Sequence, residues 1–393
     1  MKRKWTLSVT QRKWALSIIL STTILTTVVW LLMPPIPINL PESIWNFFHP
    51  PPEKEPLLIP KTELNETLSG KILYEAQNKQ TRKIYLYVIN ASGEDGIMTR
   101  PTKISSDIAY PTWSPDGKKI AFSSGRDNED LNINSSIFVI NADGTNRTRL
   151  TFNSWGDFNP VWSPDGKKIA FFGSDEEGNT PWFHIYVVNA DGSNQRRLTK
   201  DLVVLGTPRL SWSPDSKRIT YGSEGNSEGN IYVVDLNGNT TKLAENAGTA
   251  NYNPAWSPDG KKIVYVGWSQ PNGGAIYTIN PDGSSQIKLT TGNIRGADEL
   301  IWSPDGTKIA FICPPDVSSL DLSVWILNAT GGKPIRVSKA YGYIVQLVWS
   351  PDSKWIAFGA EANIHVAKAD GTIEIQLTDD ETMGSTHADW SSN

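Results

Sequence analysis

Short runs in which apolar and polar residues alternate recur through most of the chain, and they predict β-strands. In the run KIAF, Ile120 and Phe122 point to one side of the strand and Ala121 points to the other. A second run, IYVVNADG, begins at Ile185, and a third, RLT, begins at Arg197. A further short strand ends at a tryptophan before each KIAF-like run. The pattern predicts a four-stranded antiparallel unit that the chain repeats.

The repeat is clearest in WSPDGKKIAF, which occurs unchanged at 113–122 and 162–171. The repeating tryptophans are 41 to 50 residues apart, at positions 113, 162, 212, 256, 302, 349 and 390, and we expect them in the core. This period is typical of the blades of a β-propeller. SPDG supplies turn residues in each copy, and Ser216 and Ser353 replace the glycine in two of them. If these positions need a positive φ, serine is accommodated there with some strain.

The seventh copy is split between the two ends of the repeat region. KILY begins at Lys71 and opens three strands that lack a tryptophan strand, whereas Trp390 ends a strand at the C-terminus. We predict that these segments complete one blade. The fold class is then all-β, a seven-bladed β-propeller of four-stranded blades over residues 70–393, closed by its N- and C-terminal strands. Closure removes the free sheet edges that promote aggregation.

The WSPDG hairpins resemble the repeat of TolB-type proteins, a family of WD-repeat-like β-propellers. The resemblance covers residues 70–393 and implies a fold more than a function. Bacterial TolB has a separate α/β domain before a propeller of six blades. Here we count seven copies and see no room for that domain, so the resemblance is to the family and not to TolB itself.

The N-terminal region predicts a membrane anchor. Residues 14–33 form a 20-residue uncharged stretch, long enough as a helix to cross a bilayer. The basic residues within 1–13 predict a cytoplasmic N-terminus and a periplasmic or extracellular propeller. A cleaved signal peptide is the alternative, although prolines rather than small residues follow the stretch. Residues 34–69 carry nine prolines and predict an extended linker.

The composition and the motifs of the chain argue against several classes of function. A net charge of −4 and a pI of about 5.7 give no reason to expect nucleic-acid binding, and the single cysteine cannot form an internal disulfide. The chain has no G-x-S-x-G motif for a serine hydrolase and only four histidines. Some similar propellers are lyases that bind a metal through histidines, but here only His387 is expected near the channel axis. We therefore expect no catalytic residues and no cofactor.

The connections after KIAF and after RLT share one face of the disc, and they vary in length and content. Their loops hold 19 acidic and five basic side chains, so this face should attract cations or basic partners. A solvated face that only keeps the protein soluble is the alternative. The oxygen-rich segment 127–132 is a weak candidate for calcium. The predicted binding residues on this loop face are aromatic: Trp155, Trp182, Phe183, Trp268, Tyr341 and Tyr343.

A second set of candidates precedes the tryptophan strands, where side chains should line the mouth of the central channel. These residues are Tyr110, Asp157, Arg209, Tyr252, Asp298 and His387. We expect a monomeric, non-catalytic, membrane-anchored propeller that binds an envelope or extracellular protein, basic in character, or a polysaccharide. The alternative is a propeller enzyme, similar to a metal-dependent polysaccharide lyase or to a hydrolase, with its site at this mouth.

Overall fold

The structure of the protein, a computed structural model, describes residues 57–58, 68–78, 84–91, 108–125, 135–152, 156–174, 183–200, 210–225, 228–244, 249–269, 273–290, 294, 296–316, 319–378 and 383–391. Within these residues 28 strands form seven sheets. The predicted seven-bladed β-propeller is therefore confirmed.

Each blade begins with its tryptophan strand, which is innermost. Blade one contains β4 (Ile108–Trp113), β5 (Lys119–Ser124), β6 (Ser136–Asn141) and β7 (Thr148–Arg149). Blade two contains β8 (Asp157–Trp162), β9 (Lys168–Gly173), β10 (His184–Asn189) and β11 (Arg196–Arg197). Blade three contains β12 (Ser211–Trp212), β13 (Arg218–Gly225), β14 (Glu228–Asp235) and β15 (Thr240–Ala244).

The next three blades repeat this order. Blade four contains β16 (Thr249–Trp256), β17 (Ile263–Ser269), β18 (Gly273–Ile279) and β19 (Ile287–Lys288). Blade five contains β20 (Asp298–Trp302), β21 (Lys308–Cys313), β22 (Ser323–Asn328) and β23 (Ile335–Arg336). Blade six contains β24 (Ile344–Trp349), β25 (Trp355–Ala360), β26 (Asn363–Lys368) and β27 (Ile373–Gln376). A short strand, β1 (Leu57–Leu58), adds to its outer edge in parallel with β27.

The closing blade joins the two ends of the propeller as predicted. Its described strands are β28 (Met383–Trp390), β2 (Lys71–Asn78) and β3 (Ile84–Asn90), in that order. The antiparallel register of β28 and β2 pairs Trp390 with Ile72. The indole Nε1 of Trp390 also donates to the Ser69 carbonyl at 2.8 Å.

The hydrophobic core lies between blades rather than within one blade. One cluster joins Leu150 and Val139 of blade one to Trp162 and Phe171 of blade two. Six further clusters join the other consecutive blades, including blade six to the closing blade and the closing blade to blade one. Because each blade buries both faces against its neighbours, the stability of the ring depends on its closure.

The SPDG turns show why serine can replace glycine. Gly117 has a φ of 65°, and Ser216 and Ser353 adopt φ values of 58° and 60°, which confirms that these positions require the left-handed region. Each serine gains a bond between blades that glycine cannot make. Ser216 Oγ accepts from the Asp165 amide at 3.0 Å, and Ser353 Oγ accepts from the Asp305 amide at 3.1 Å.

The predicted cytoplasmic tail, the transmembrane helix and most of the proline-rich linker lie outside the described residues. In the part of the chain that the structure does describe, no helix is both long and apolar enough to cross a bilayer.

Candidate binding site in the central channel

A β-bulge interrupts the innermost strand of a blade shortly before its tryptophan. In β4 the register with β5 shifts between Ala109 and Thr112. Equivalent shifts occur in β8, β16, β20 and β24. The residue three positions before the tryptophan then has a positive φ, for example 55° at Tyr110 and 52° at Glu299. Such bulges redirect side chains, and strained backbone of this kind is frequent at functional sites.

The residues three positions before each tryptophan form what we call the channel ring. Its described members are Tyr110, Asn159, Asn253, Glu299, Gln346 and His387. All except Asn253 line one central cavity of about 690 Å³. Asn253 lines a neighbouring cavity of about 100 Å³. Asparagine tolerates a positive φ, whereas tyrosine, glutamate and glutamine have no such preference, so their presence here is not explained by backbone conformation.

One corner of the channel is built from the closing blade and blade one. His387 Nδ1 lies 2.5 Å from Glu75 Oε1, and the imidazole and Tyr110 rings pack in a T-shaped arrangement with centroids 5.0 Å apart. Glu75, on β2, is 6% exposed. Burial of Tyr110, followed by the negative charge of Glu75, raises the pKa of the phenol above its ordinary value. A phenol is protonated at neutral pH even at its ordinary pKa of about 10, so the Tyr110 hydroxyl can donate a hydrogen bond.

A second part of the channel wall holds two consecutive acids at the start of β20. Asn253 Nδ2 donates to Asp298 Oδ1, and the Glu299 amide donates to the same oxygen at 2.8 Å. The Leu347 amide donates to Glu299 Oε2 at 2.7 Å. These bonds connect blades four, five and six and hold both carboxylates in fixed positions.

A third carboxylate connects the closing blade to blade one. Asp389 Oδ2 accepts from the Trp113 amide at 2.7 Å and from Thr112 Oγ1 at 3.0 Å. The bulge in β4 interrupts the regular hydrogen bonds between strands for the amides near Trp113. Because buried amides need acceptors, a side chain of the preceding blade supplies one. Asp389 therefore has a structural role and also contributes negative charge to the cavity that it lines.

The described lining of the cavity combines negative charge with aromatic rings. Asp298, Glu299 and Asp389 contribute three carboxylates, against the imidazole of His387. The rings of Tyr110 and Phe158 lie with centroids 6.4 Å apart. In a partly enclosed cavity, charge is screened less than in bulk water, so carboxylates attract cations more strongly. Aromatic faces add a cation–π attraction. The arrangement therefore fits a lysine or arginine side chain.

Three of the six residues predicted at the channel mouth line the cavity: Tyr110, Asp298 and His387. Asp157 does not, because it is fully buried and its backbone amide donates to Ser135 of blade one at 2.8 Å. Tyr252 also points elsewhere and packs against the core between blades four and five. Burial there, with the nearby Asp298 and Cys313, raises the pKa of Tyr252 to about 12. Arg209 lies outside the described residues.

The aromatic residues predicted on the loop face have different environments. Trp155 and Trp182 lie outside the described residues, as do most of the acidic loop residues and the segment 127–132. Phe183 packs edge-on against Phe158, with centroids 4.7 Å apart, and Trp268 is half-buried on β17. Tyr343 is 44% exposed, as expected.

The prediction of an exposed ring is wrong for Tyr341, which is only 6% exposed. Its hydroxyl donates to the fully buried Glu374 and lies 3.3 Å from His365 Nδ1. The Lys339 amide donates to Glu374 Oε2 at 2.7 Å. This buried network holds the connection between blades five and six, which explains why the tyrosine is in the core.

The sequence interpretation missed four members of the channel ring, namely Asn159, Asn253, Glu299 and Gln346, together with Glu75 behind His387. A fixed offset of three residues before each repeating tryptophan would have found the ring members. No local pattern marks Glu75, because it is 312 residues from its histidine partner.

Other reactive groups do not form a second site among the described residues. That part of the chain holds no group of three or more His, Cys, Asp or Glu side chains arranged to bind a metal ion. Cys313 is buried, and burial raises the pKa of its thiol to about 12. The thiol is therefore protonated and unreactive at neutral pH.

Solved structures with this architecture come from proteins of different activities. The β-propeller domain of the Trilobed protease from Pyrococcus furiosus is 16% identical, with a TM-score of 0.56 over 81% of this chain and 96% of that one. An oligogalacturonate lyase, solved in complex with manganese, is 13% identical, with a TM-score of 0.54 over 80% of this chain and 87% of that one. At these identities the likeness shows the fold alone.

TolB from Acinetobacter baumannii is 23% identical, with a TM-score of 0.48 over 69% of this chain and 66% of that one. No curated protein sequence matches the chain. The TolB beta propeller domain family matches residues 53–201 and 178–392, which together cover most of the chain. The protein therefore belongs to the TolB beta propeller domain family.

Proposed function

We propose that this propeller is a non-catalytic binding protein whose central channel receives a basic side chain of a partner protein. The observation that carries the proposal is the cavity of about 690 Å³ in which Asp298, Glu299 and Asp389 accompany aromatic rings. The acidic loops predicted on the loop face of the propeller would guide a basic segment towards the channel. An envelope or extracellular protein with an exposed lysine or arginine is the partner that this chemistry fits.

Fixed carboxylates favour binding because they need little rearrangement when the ligand arrives. The Asn253 and Glu299 donors orient Asp298, and the Leu347 amide orients Glu299. Hydrogen bonds to charged groups contribute about 1.5–3 kcal/mol each. A site that is ordered before binding loses less entropy when it captures a flexible cationic side chain. Two hydrogen bonds from the cationic side chain to these carboxylates would support weak, reversible binding. Such binding suits a scaffold protein.

We also propose that the protein works at a membrane surface. The uncharged stretch 14–33, preceded by basic residues, supports a single anchoring helix with its N-terminus in the cytoplasm. The propeller would then be periplasmic or extracellular, and the linker 34–69 would separate it from the lipid. Alkaline extraction of membranes tests the anchor, because an integral protein stays in the pellet whereas a cleaved, soluble propeller is released.

The binding proposal is tested with the full chain in detergent micelles and a short lysine peptide flanked by glycines. We expect the wild-type protein to bind this peptide more tightly than the matched peptide with norleucine in place of lysine. Asp298→Asn should weaken binding about tenfold, because one charge-assisted contact is lost. Asp282→Asn is the matched control, since Asp282 is exposed in the turn between β18 and β19 and is outside the cavity lining. Equal affinity for the two peptides would refute the proposal.

A further inference from the structure

Two large apolar side chains are exposed close in the chain to residues that line the channel. Leu320 is 93% exposed and Tyr343 is 44% exposed. A single exposed apolar residue is ordinary on a protein surface. A pair that the backbone brings together is more informative, because contiguous exposed apolar surface often marks a binding site.

The backbone places this pair at one end of a short ribbon. Leu322 and Tyr341 form an isolated antiparallel bridge, in which each amide donates to the other's carbonyl at 2.7 and 2.9 Å. Leu320 precedes Leu322 by two residues, and Tyr343 follows Tyr341 by two. In an antiparallel pairing these two positions lie at the same end. We call Leu320 and Tyr343 the apolar lip.

The ribbon is held firmly at its base. Tyr341 is buried, and its hydroxyl donates to Glu374, a fully buried residue of β27. The Lys339 amide donates to the same carboxylate, and Ser323 Oγ donates to the Lys339 carbonyl at 3.1 Å. The lip is therefore presented by a fixed base, which reduces the entropy lost when it binds a ligand.

The lip residues are close in the chain to residues of the channel wall. Leu322 and Ile344 both line the central cavity, and they lie beside the lip residues in the chain. Two exposed acids, Asp316 and Asp321, flank the lip on the same loop. The Asp316 carboxylate accepts from the Ser319 amide at 2.9 Å, which connects this acid to the residue before Leu320. The surface thus continues the combination of negative charge and apolar contact found in the cavity.

We infer that the apolar lip binds a large apolar side chain of the same partner segment whose basic residue enters the channel. This inference rests on the proposed function and adds a second feature by which the propeller would distinguish its partner from other basic segments. The occupant is an extended segment with a lysine or arginine and, two to four positions away, a leucine or similar residue. The negative charge of the cavity fits the basic residue, and the lip covers the apolar one.

The test uses the full chain in detergent micelles and two matched sets of glycine-spaced peptides. In the first set, one to three glycines separate a lysine from a leucine, and in the second set serine replaces the leucine. We expect the wild-type protein to bind the best leucine peptide about tenfold more tightly than its serine counterpart, since covering a leucine side chain is worth about that much.

Leu320→Ser should remove most of this preference and leave the affinity for the serine peptide unchanged. Tyr343→Ser should reduce the preference in the same way. Ile287→Ser is the matched control, because Ile287 is 50% exposed on β19, at the outer edge of blade four. Circular dichroism checks that each variant is folded.

The outcomes separate this inference from the proposed function. If the wild-type protein binds both peptide sets equally well, the channel binds lysine and the lip has no role. If Leu320→Ser keeps the wild-type preference, the lip is also refuted. If no lysine peptide binds, the proposed function fails and the inference fails with it.

Discussion

His387 Nδ1 lies 2.5 Å from Glu75 Oε1, so two strands of the closing blade are joined across 312 residues. The glutamate side chain is 7% exposed and that of the histidine is 26% exposed. The pair lies on β28 and β2, beside the backbone bonds that close the ring. It therefore connects the stability of the closure to the lining of the channel, because His387 also belongs to the channel ring.

Glu75→Gln is expected to destabilise the propeller by about 1–3 kcal/mol, because it weakens a buried, charge-assisted hydrogen bond at the closure. Urea unfolding followed by tryptophan fluorescence measures the change. Glu361→Gln is the control, since Glu361 is exposed in the turn between β25 and β26. Equal unfolding midpoints for the two variants would mean that the Glu75–His387 pair does not stabilise the closure.

The SPDG turns offer a test of the bonds between blades. Gly166 has a φ of 67°, and a side chain there would meet only Pro115 Cδ at 3.8 Å. By analogy with Ser216, a serine at this position can accept from the Asp116 amide of blade one. Gly166→Ser is therefore expected to be about 1 kcal/mol more stable than Gly166→Ala, which has the same backbone strain without the bond.

Thermal unfolding of the two Gly166 variants measures this difference. Gly332→Ser and Gly332→Ala form the control pair, because Gly332 has a φ of 125° and open space around it. There the serine should offer no advantage over alanine. A serine advantage of the same size at both positions would contradict the explanation based on the bond between blades.

Acid is expected to destabilise the propeller through its turn aspartates. The side-chain hydrogen bond from Ser114 holds the pKa of Asp116 below its ordinary value, and Ser213 and Ser257 act in the same way on Asp215 and Asp259. A carboxyl group with a lowered folded pKa stabilises the fold above its unfolded pKa. That contribution is lost as the pH falls through the folded value.

The melting temperature should therefore fall progressively below about pH 4, the ordinary range of an aspartate. These aspartates are largely exposed, so each contributes little and the loss is cumulative. Ser114→Ala should make the protein less stable at pH 7 and reduce the part of its stability that acid removes. An unchanged melting temperature from pH 7 to pH 3 would contradict this role of the turns.

The fold was predictable because its determinants are local and recur. The SPDG turns and the tryptophans mark each blade, and Trp390 with the KILY run at Lys71 predicted the closing blade that the structure confirms. Turn chemistry also predicted that serine is accommodated at a positive φ at positions 216 and 353. It did not predict the hydrogen bonds from these serines to the preceding blade. Those bonds depend on residues 51 and 48 positions away, which no local pattern shows.

The site was only partly predictable, because a bulge decides which side chains face the channel. The sequence interpretation treated residues just before the tryptophan strands as equivalent, and it therefore included Tyr252 and Asp157. The register shift between Tyr252 and Ala255 instead places Asn253, and not Tyr252, in a hydrogen bond with Asp298 of the channel wall. Tyr341 was misplaced for a different reason, since its burial depends on Glu374, a partner 33 residues away.

The most direct test of the account is to locate a bound lysine peptide on the propeller. A photoreactive phenylalanine analogue replaces Gln346, an uncharged member of the channel ring, or Ile287 on the outer edge of blade four. The account predicts that a lysine peptide cross-links to the protein at position 346 and not at 287, and that excess free peptide competes with the reaction. Cross-linking at 287 alone, or equally at both positions, would show that the central channel is not the binding site.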